Sequence, residues 1–162
     1  MRKLLSILLF LVALPLSAQQ HPDLLFHISK SANRNIICYE AVVQNGALNT
    51  KQPVHVFWHN NEDRPGAEDE LNYIQKKFAY GYKTMKCSPS EAEITLKAYE
   101  KRSLKVRRQG GKWCAFIPIN GKESLLREIY IKSKEGHSTT VEYVILKGTY
   151  NGTAVQEKLL NK

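Results

Sequence analysis

The chain has little cysteine, little proline and no long apolar segment beyond its first residues. Its three cysteines, Cys38, Cys87 and Cys114, stand too far apart for a CxxC redox or zinc motif. In an oxidising compartment two of them can form one disulfide and leave one free thiol, but spacing does not select the pair. Three buried, inert thiols fit the sequence equally well. No local signature marks Cys87 or Cys114 as a nucleophile, and none of the serines lies in a glycine-flanked elbow. Internal repeats, low-complexity tracts and second-domain linkers are lacking, as are a recognition helix and an aromatic-basic repeat for nucleic acid. These absences remove redox, zinc-ribbon and nucleic-acid-reading classes from consideration.

The N-terminus carries a secretory pattern. Met1-Arg2-Lys3 is basic, Leu4 to Leu16 is uncharged and apolar, and Ser17-Ala18-Gln19 offers a small residue for cleavage after Ala18. The apolar run falls short of the ~20 residues a spanning helix needs, and no cysteine stands at the cleavage point for lipid attachment. Residues 1–18 are therefore expected to be a cleaved signal peptide, and 19–162 one β-rich domain in the periplasm or outside the cell. Loss of Arg2 and Lys3 lowers the net charge from +9 to about +7. That balance favours anionic partners, and a soluble basic surface without a specific partner explains it as well.

Hydropathy alternates with period two along most of the remainder. Residues 24–28, 36–43, 54–58, 93–98, 103–108, 112–117, 126–133, 140–149 and 153–159 read as nine strands. Asn45-Gly46, Gly110-Gly111 and Asn151-Gly152 mark turns, and short turns between successive strands indicate antiparallel pairing. Only residues 68–80 change period. Leu71, Ile74 and Phe78 fall on one helical side, with Glu68, Asp69 and Glu70 at the start, Lys76 and Lys77 toward the end, and Gly81 at the stop. The fold expected is mainly β: an antiparallel barrel or two-sheet sandwich of about nine strands with one α-helix.

Three segments carry a family likeness: LFHISKSANRNIICYEA (Leu25 to Ala41), PVHVFWHN (Pro53 to Asn60) and LNYIQKKFAYGYK (Leu71 to Lys83). Their order and spacing resemble the secreted proteins grouped as domain of unknown function 4833. The resemblance implies a compact exported domain and brings no established activity. The occurrence of related domains beside inositol-oxygenase-like domains hints at sugar or polyol chemistry.

Among polar stretches, Lys30 to Asn35 offers the richest set of donors and acceptors. Lys30 and Arg34 supply charge, while Ser31, Asn33 and Asn35 both give and accept hydrogen bonds. As a turn at a barrel mouth it can hold an anionic or polyhydroxylated ligand; as an ordinary loop its side chains bond their own backbone. Tyr73, Lys77 and Tyr80 share a helix side distinct from the apolar one, and aromatic rings with nearby amides form sugar platforms. Tyr39, Trp58 and Tyr82 complete the candidate ligand set. Glu40, inside an apolar strand, is the candidate acid–base residue of an alternative envelope hydrolase, with a structural bond to an Arg as the rival explanation. A third alternative is a structural or assembly partner in the envelope.

His55 and His59 lie ~13 Å apart if extended, too far for one metal, so neither a metal nor another cofactor is expected. The basic run Lys101, Arg102, Lys105, Arg107, Arg108 and Lys112 reads as a solvated hairpin that deters edge pairing and is able to touch an anionic membrane.

Overall fold

The computed structural model describes residues 21–160; the expected signal peptide, residues 1–18, lies outside them. The strands are β1 (Leu24–Lys30), β2 (Asn33–Ala41), β3 (Val43–Gln44), β4 (Ala47–Leu48), β5 (Val54–His59) and β6 (Glu68–Glu70). After helix α1 (Tyr73–Phe78) come β7 (Tyr82–Cys87), β8 (Glu91–Leu96), β9 (Tyr99–Gln109) and β10 (Lys112–Ile119). Three further strands close the chain: β11 (Lys122–Lys134), β12 (His137–Tyr150) and β13 (Thr153–Leu160). Nine strands form a continuous path in the order β6-β5-β2-β1-β11-β10-β9-β8-β7, which curls into a half-barrel. The mainly β fold with one short helix agrees with the periodicity.

One pairing departs from the antiparallel expectation. β1 runs parallel to β11, with His27 beside Glu128 and Lys30 beside Ile131, which makes the sheet mixed. Short turns report only on sequential neighbours, and this pair joins strands about a hundred residues apart, so turn chemistry carries no trace of it. β11 is long enough to take two neighbours on one edge. Its residues 122–125 pair with β10 and its residues 128–131 with β1, while β12 runs along the other edge. The β12–β13 hairpin branches there from the nine-strand path.

Alternation sorts the side chains. Ile37, Tyr39 and Ala41 of β2, Val54 and Val56 of β5, and Ile94 of β8 enter the core with Leu104, Val106, Ile117 and Leu126. Burial of such side chains is worth about 1.5–3 kcal/mol each before chain entropy is counted. The Lys30–Asn35 stretch is mostly strand: only Ser31 and Ala32 form the turn between β1 and β2.

The helix is shorter than its pattern suggests. Glu68, Asp69 and Glu70 pair as a strand with His59, Trp58 and Phe57, so their carboxylates serve cross-strand histidines and Arg64 and do not supply a first helical turn. Asn72 then starts α1 through a capping box: its Oδ1 accepts from Gln75 N (2.9 Å) and its own N–H donates to Gln75 Oε1 (3.0 Å). Of the expected apolar side, only Leu71 is buried; Ile74 and Phe78 are exposed.

Two phenols join the ends of the curled sheet. Tyr39 donates to the Tyr80 carbonyl (2.6 Å), while Tyr82 donates to the Val54 carbonyl (2.7 Å) and accepts from the Val54 N–H (3.2 Å). Tyr39 also stacks on Phe26 at 4.3 Å, and burial pushes its phenol far above the ordinary tyrosine value. Tyr82→Phe removes the partner of a backbone donor and acceptor, so urea unfolding is expected to show a loss of about 1–3 kcal/mol with no change of fold by circular dichroism.

A charged staple fixes the branch. Arg102 of β9 makes a two-pronged pair with Glu157 of β13 (2.8 and 2.7 Å) and also donates to the Pro118 carbonyl (2.8 Å). The Arg102 hydrogen bonds hold the Glu157 carboxyl down to about 2 against the opposing effect of burial, helped by the Asn120 N–H and the Arg102 charge. A depressed carboxylate stabilises the fold above its unfolded value and loses that contribution as pH falls toward the folded one. The stability gap between wild type and Glu157→Gln is therefore expected to be about 1–2 kcal/mol at about pH 7 and to shrink toward about pH 2.5, read from urea melts.

Candidate functional site

The concave side of the half-barrel holds a cavity of about 860 Å³. Its walls are mainly apolar, among them Ile28, Leu104, Ile117, Ile129, Val144 and Leu146. These are inward-facing positions of strands β1, β9, β10, β11 and β12, so the same alternation that builds the core also builds the cavity. The volume lies in the range of small-molecule sites.

Among the polar residues of its lining, Lys30, Asn33 and Tyr80 are neighbours. Lys30 ends β1 with its ammonium 3.3 Å from the Tyr80 hydroxyl, to which it donates. The same ammonium lies 4.6 Å from the Trp58 ring centre and 5.5 Å from that of Tyr80. Trp58 and Tyr80 meet edge to face at 5.5 Å, and the Trp58 indole N–H donates to Gln75 Oε1 (3.3 Å), tying the aromatic pair to the capping box of α1. Asn33, paired with Lys30 across the β1–β2 turn, lines the cavity too, and its Oδ1 is shielded from solvent without accepting a hydrogen bond. An acceptor so placed has lost water and gained nothing in return.

Gly81 makes this corner feasible. A Cβ there would stand 1.8 Å from the Lys76 carbonyl oxygen, so only glycine lets the chain leave α1 this sharply and deliver Tyr80 beside Lys30.

Lys30, Asn33, Trp58 and Tyr80 of the predicted set thus converge, whereas the others do different work. Ser31 Oγ accepts from Ser133 N (3.0 Å), and Asn35 Oδ1 accepts from Asn61 N (2.8 Å); both brace the turn and its neighbours. Tyr39 and Tyr82 are the sheet-joining phenols already described. Lys77 lies over the exposed rings of Tyr73 and Phe78, at 5.4 and 5.1 Å. Tyr73 and Lys77 share a helix side as spaced, but Tyr80 lies past the helix end and turns into the cavity.

Glu40 points the other way. It alternates with the buried Tyr39 and Ala41, so it occupies the convex face, where its Oε1 lies 3.3 Å from His21 Nδ1. Its partner is a histidine and not the Arg that the sequence suggested. His21 also meets Glu68 through Nε2 (2.6 Å), and His55 meets Glu70 (2.5 Å). Further along, Glu128 accepts from Ser29 (2.5 Å) and Lys147 (3.0 Å); burial pushes its carboxyl up, but these bonds outweigh it and leave it below the usual range. Burial lowers the neighbouring His27, against the pull of Glu128. This histidine–carboxylate face was invisible in sequence because its members come from six different segments.

Among the described residues, no group of three or more His, Cys, Asp or Glu side chains is placed to hold a metal ion. His55 and His59 are each two-strand neighbours of separate carboxylates. The three cysteine sulfurs are unbonded to one another. Burial, then the charges of Glu68 and Glu40, push the Cys38 thiol up to about 12, and burial also raises Cys87. Thiols held in that direction are poor nucleophiles.

The basic hairpin is largely self-compensated. Arg102 serves Glu157, Lys105 and Arg107 share Glu123 (3.1 and 2.7 Å), and Arg107 lies over Phe116 at 4.0 Å. Arg108 covers Trp113 and donates to the Gly46 carbonyl (2.8 Å), while Lys101 and Lys112 remain exposed.

No curated protein and no solved structure is matched by this chain. The family model described as Domain of unknown function (DUF4833) matches residues 26–158, a span that includes Lys30, Asn33, Trp58, Tyr80 and the whole of α1. The chain belongs to that family.

Proposed function

We propose that the domain binds a small amphiphile in the half-barrel, with an anionic or hydroxylated end at Lys30 and Asn33 and an apolar body along the cavity wall. The observation that carries the reading is the meeting of Lys30, Tyr80 and Asn33 at one apolar cavity. A lysine ammonium attracts an anionic oxygen, and a side-chain amide such as that of Asn33 can give or accept a hydrogen bond. The apolar lining contributes through burial of whatever lies beyond the polar end.

An extended sugar is a poorer fit for this interior. Trp58 and Tyr80 pack against each other and beneath an ammonium, so neither ring is laid open as a stacking platform. The polar or anionic character foreseen for the ligand is kept at its head; the body is apolar. In this reading the leader is removed near Ala18 and the domain works outside the cytoplasm, in the periplasm or beyond.

Thermal unfolding of the mature protein against a panel of acyl carboxylates of roughly eight to fourteen carbons, with free polyols as a second arm, tests the idea. The acyl carboxylates are expected to raise the melting temperature and the polyols to leave it unmoved. Lys30→Met is expected to weaken binding about tenfold, the size of one charge-assisted hydrogen bond, and Asn33→Ala less. A panel that leaves the melting temperature unmoved, or equal affinity in both variants, would sink the proposal.

A further inference from the structure

Helix α1 is the least covered element beside the cavity. Its six residues include no buried side chain, and Tyr73, Ile74 and Phe78 are 71%, 67% and 64% exposed. Leu71, one residue before the cap, is the buried anchor that holds the helix on the sheet. Phe78 also belongs to the lining of the cavity, as does Leu160 of β13, itself 66% exposed. The apolar lip of the mouth is therefore continuous with the apolar surface of the helix.

The charge on the helix itself is positive. The first turn of α1 holds no acidic residue and the last turn holds Lys76 and Lys77. Lys77 lies over the Tyr73 and Phe78 rings, its ammonium at the level of the apolar patch. Lys76 pairs with Glu70 (3.0 Å), which also meets His55, so that carboxylate is already engaged. From these contacts we infer that the cavity mouth docks on an anionic bilayer, with Tyr73, Ile74 and Phe78 at the boundary of headgroups and acyl chains and Lys77 among the phosphates.

A lipid surface suits this patch better than a protein does. A six-residue helix is about 9 Å long. A stable protein interface needs about 800 Å² on each partner, far more than three side chains on a convex turn present. A bilayer accepts an isolated apolar-aromatic tip rimmed by lysine, because each side chain finds its own depth. Passage of an amphiphile between the bilayer and the cavity rests on the binding reading given above; the docking itself does not.

Co-sedimentation of the mature protein with vesicles separates the outcomes. Vesicles of phosphatidylcholine with about 30% phosphatidylglycerol are expected to bind it, and phosphatidylcholine alone to bind it weakly. The double variant Tyr73→Ser with Ile74→Ser keeps every charge and touches no cavity residue; it is expected to bind about tenfold more weakly while melting at the wild-type temperature. Lys77→Glu is expected to lose about fivefold or more, and Lys101→Glu with Lys112→Glu little. Retention of the acyl-carboxylate shift in the Tyr73→Ser, Ile74→Ser protein alongside lost vesicle binding supports two separable sites. Three results overturn the inference: no binding to anionic vesicles, equal binding by the double serine variant, or loss of binding confined to the Lys101, Lys112 variant. Dimerisation of the wild type in solution that the serine changes abolish would assign the patch to a second copy and overturn it too.

Discussion

Everything at the cavity depends on how a sheet that does not pair its outer strands is nonetheless kept curled. β6 and β7 end the nine-strand path without a ladder between them, and Tyr39 and Tyr82 reach across instead. A phenol spans a gap that backbone hydrogen bonds cannot, because its ring fills the apolar space while its oxygen satisfies a carbonyl. Tyr39 grips the Tyr80 carbonyl, and Tyr80 is the residue whose hydroxyl receives the Lys30 ammonium. The closure and the polar corner of the site are thus one bonded sequence: β2 phenol, Tyr80 backbone, Tyr80 hydroxyl, Lys30 of β1.

Period-two alternation made most strands readable because each buries one face, and Val54, Val56 and Trp58 share the inner side as their spacing implied. What alternation conceals is partnership. The parallel β1–β11 pair and the fork at β11 arise from contacts about a hundred residues apart, and no local turn encodes them. Residues 68–70 misled for a related reason: three acids before an apolar stripe suit a helix start by charge, yet the histidines and arginine they face pull them into a strand. Ile74 and Phe78 were spaced as a buried stripe, but Gly81 and the cap at Asn72 cut α1 to six residues and leave that stripe outside.

The candidate site was half legible. Lys30, Asn33 and Tyr80 stood out for their chemistry, and the fold brings them together because a two-residue turn sets Lys30 opposite Asn33 while Gly81 swings Tyr80 inward. Ser31 and Asn35 have the same chemistry and lie one or two residues away, yet bond neighbouring backbone. Glu40 illustrates the rule most simply: one step along β2 from Tyr39, it faces the opposite side of the sheet and pairs with His21. Composition identifies polar residues; parity decides which face receives them.

The same parity distributes the surplus positive charge. Several convex and hairpin cations meet carboxylates at short range: Lys147 with Glu128, Lys105 and Arg107 with Glu123, Arg102 with Glu157. Lys30 and Lys77 differ, since both rest on aromatic rings and leave their hydrogen-bonding capacity largely unspent on acids. An ammonium over an aromatic face keeps its charge and stays ready to donate, whereas one locked in a carboxylate pair has little left to offer a ligand. Lys30 lines the cavity and Lys77 stands on the helix whose last residue, Phe78, forms part of the mouth. An apolar lip left in water is a cost without return unless something covers it, and the cations beside it favour a cover that is itself negative. Tyr73, Phe78 and Leu160 thus stand exposed together with Lys77 where the half-barrel opens, and that combination favours a negative, apolar-bodied cover.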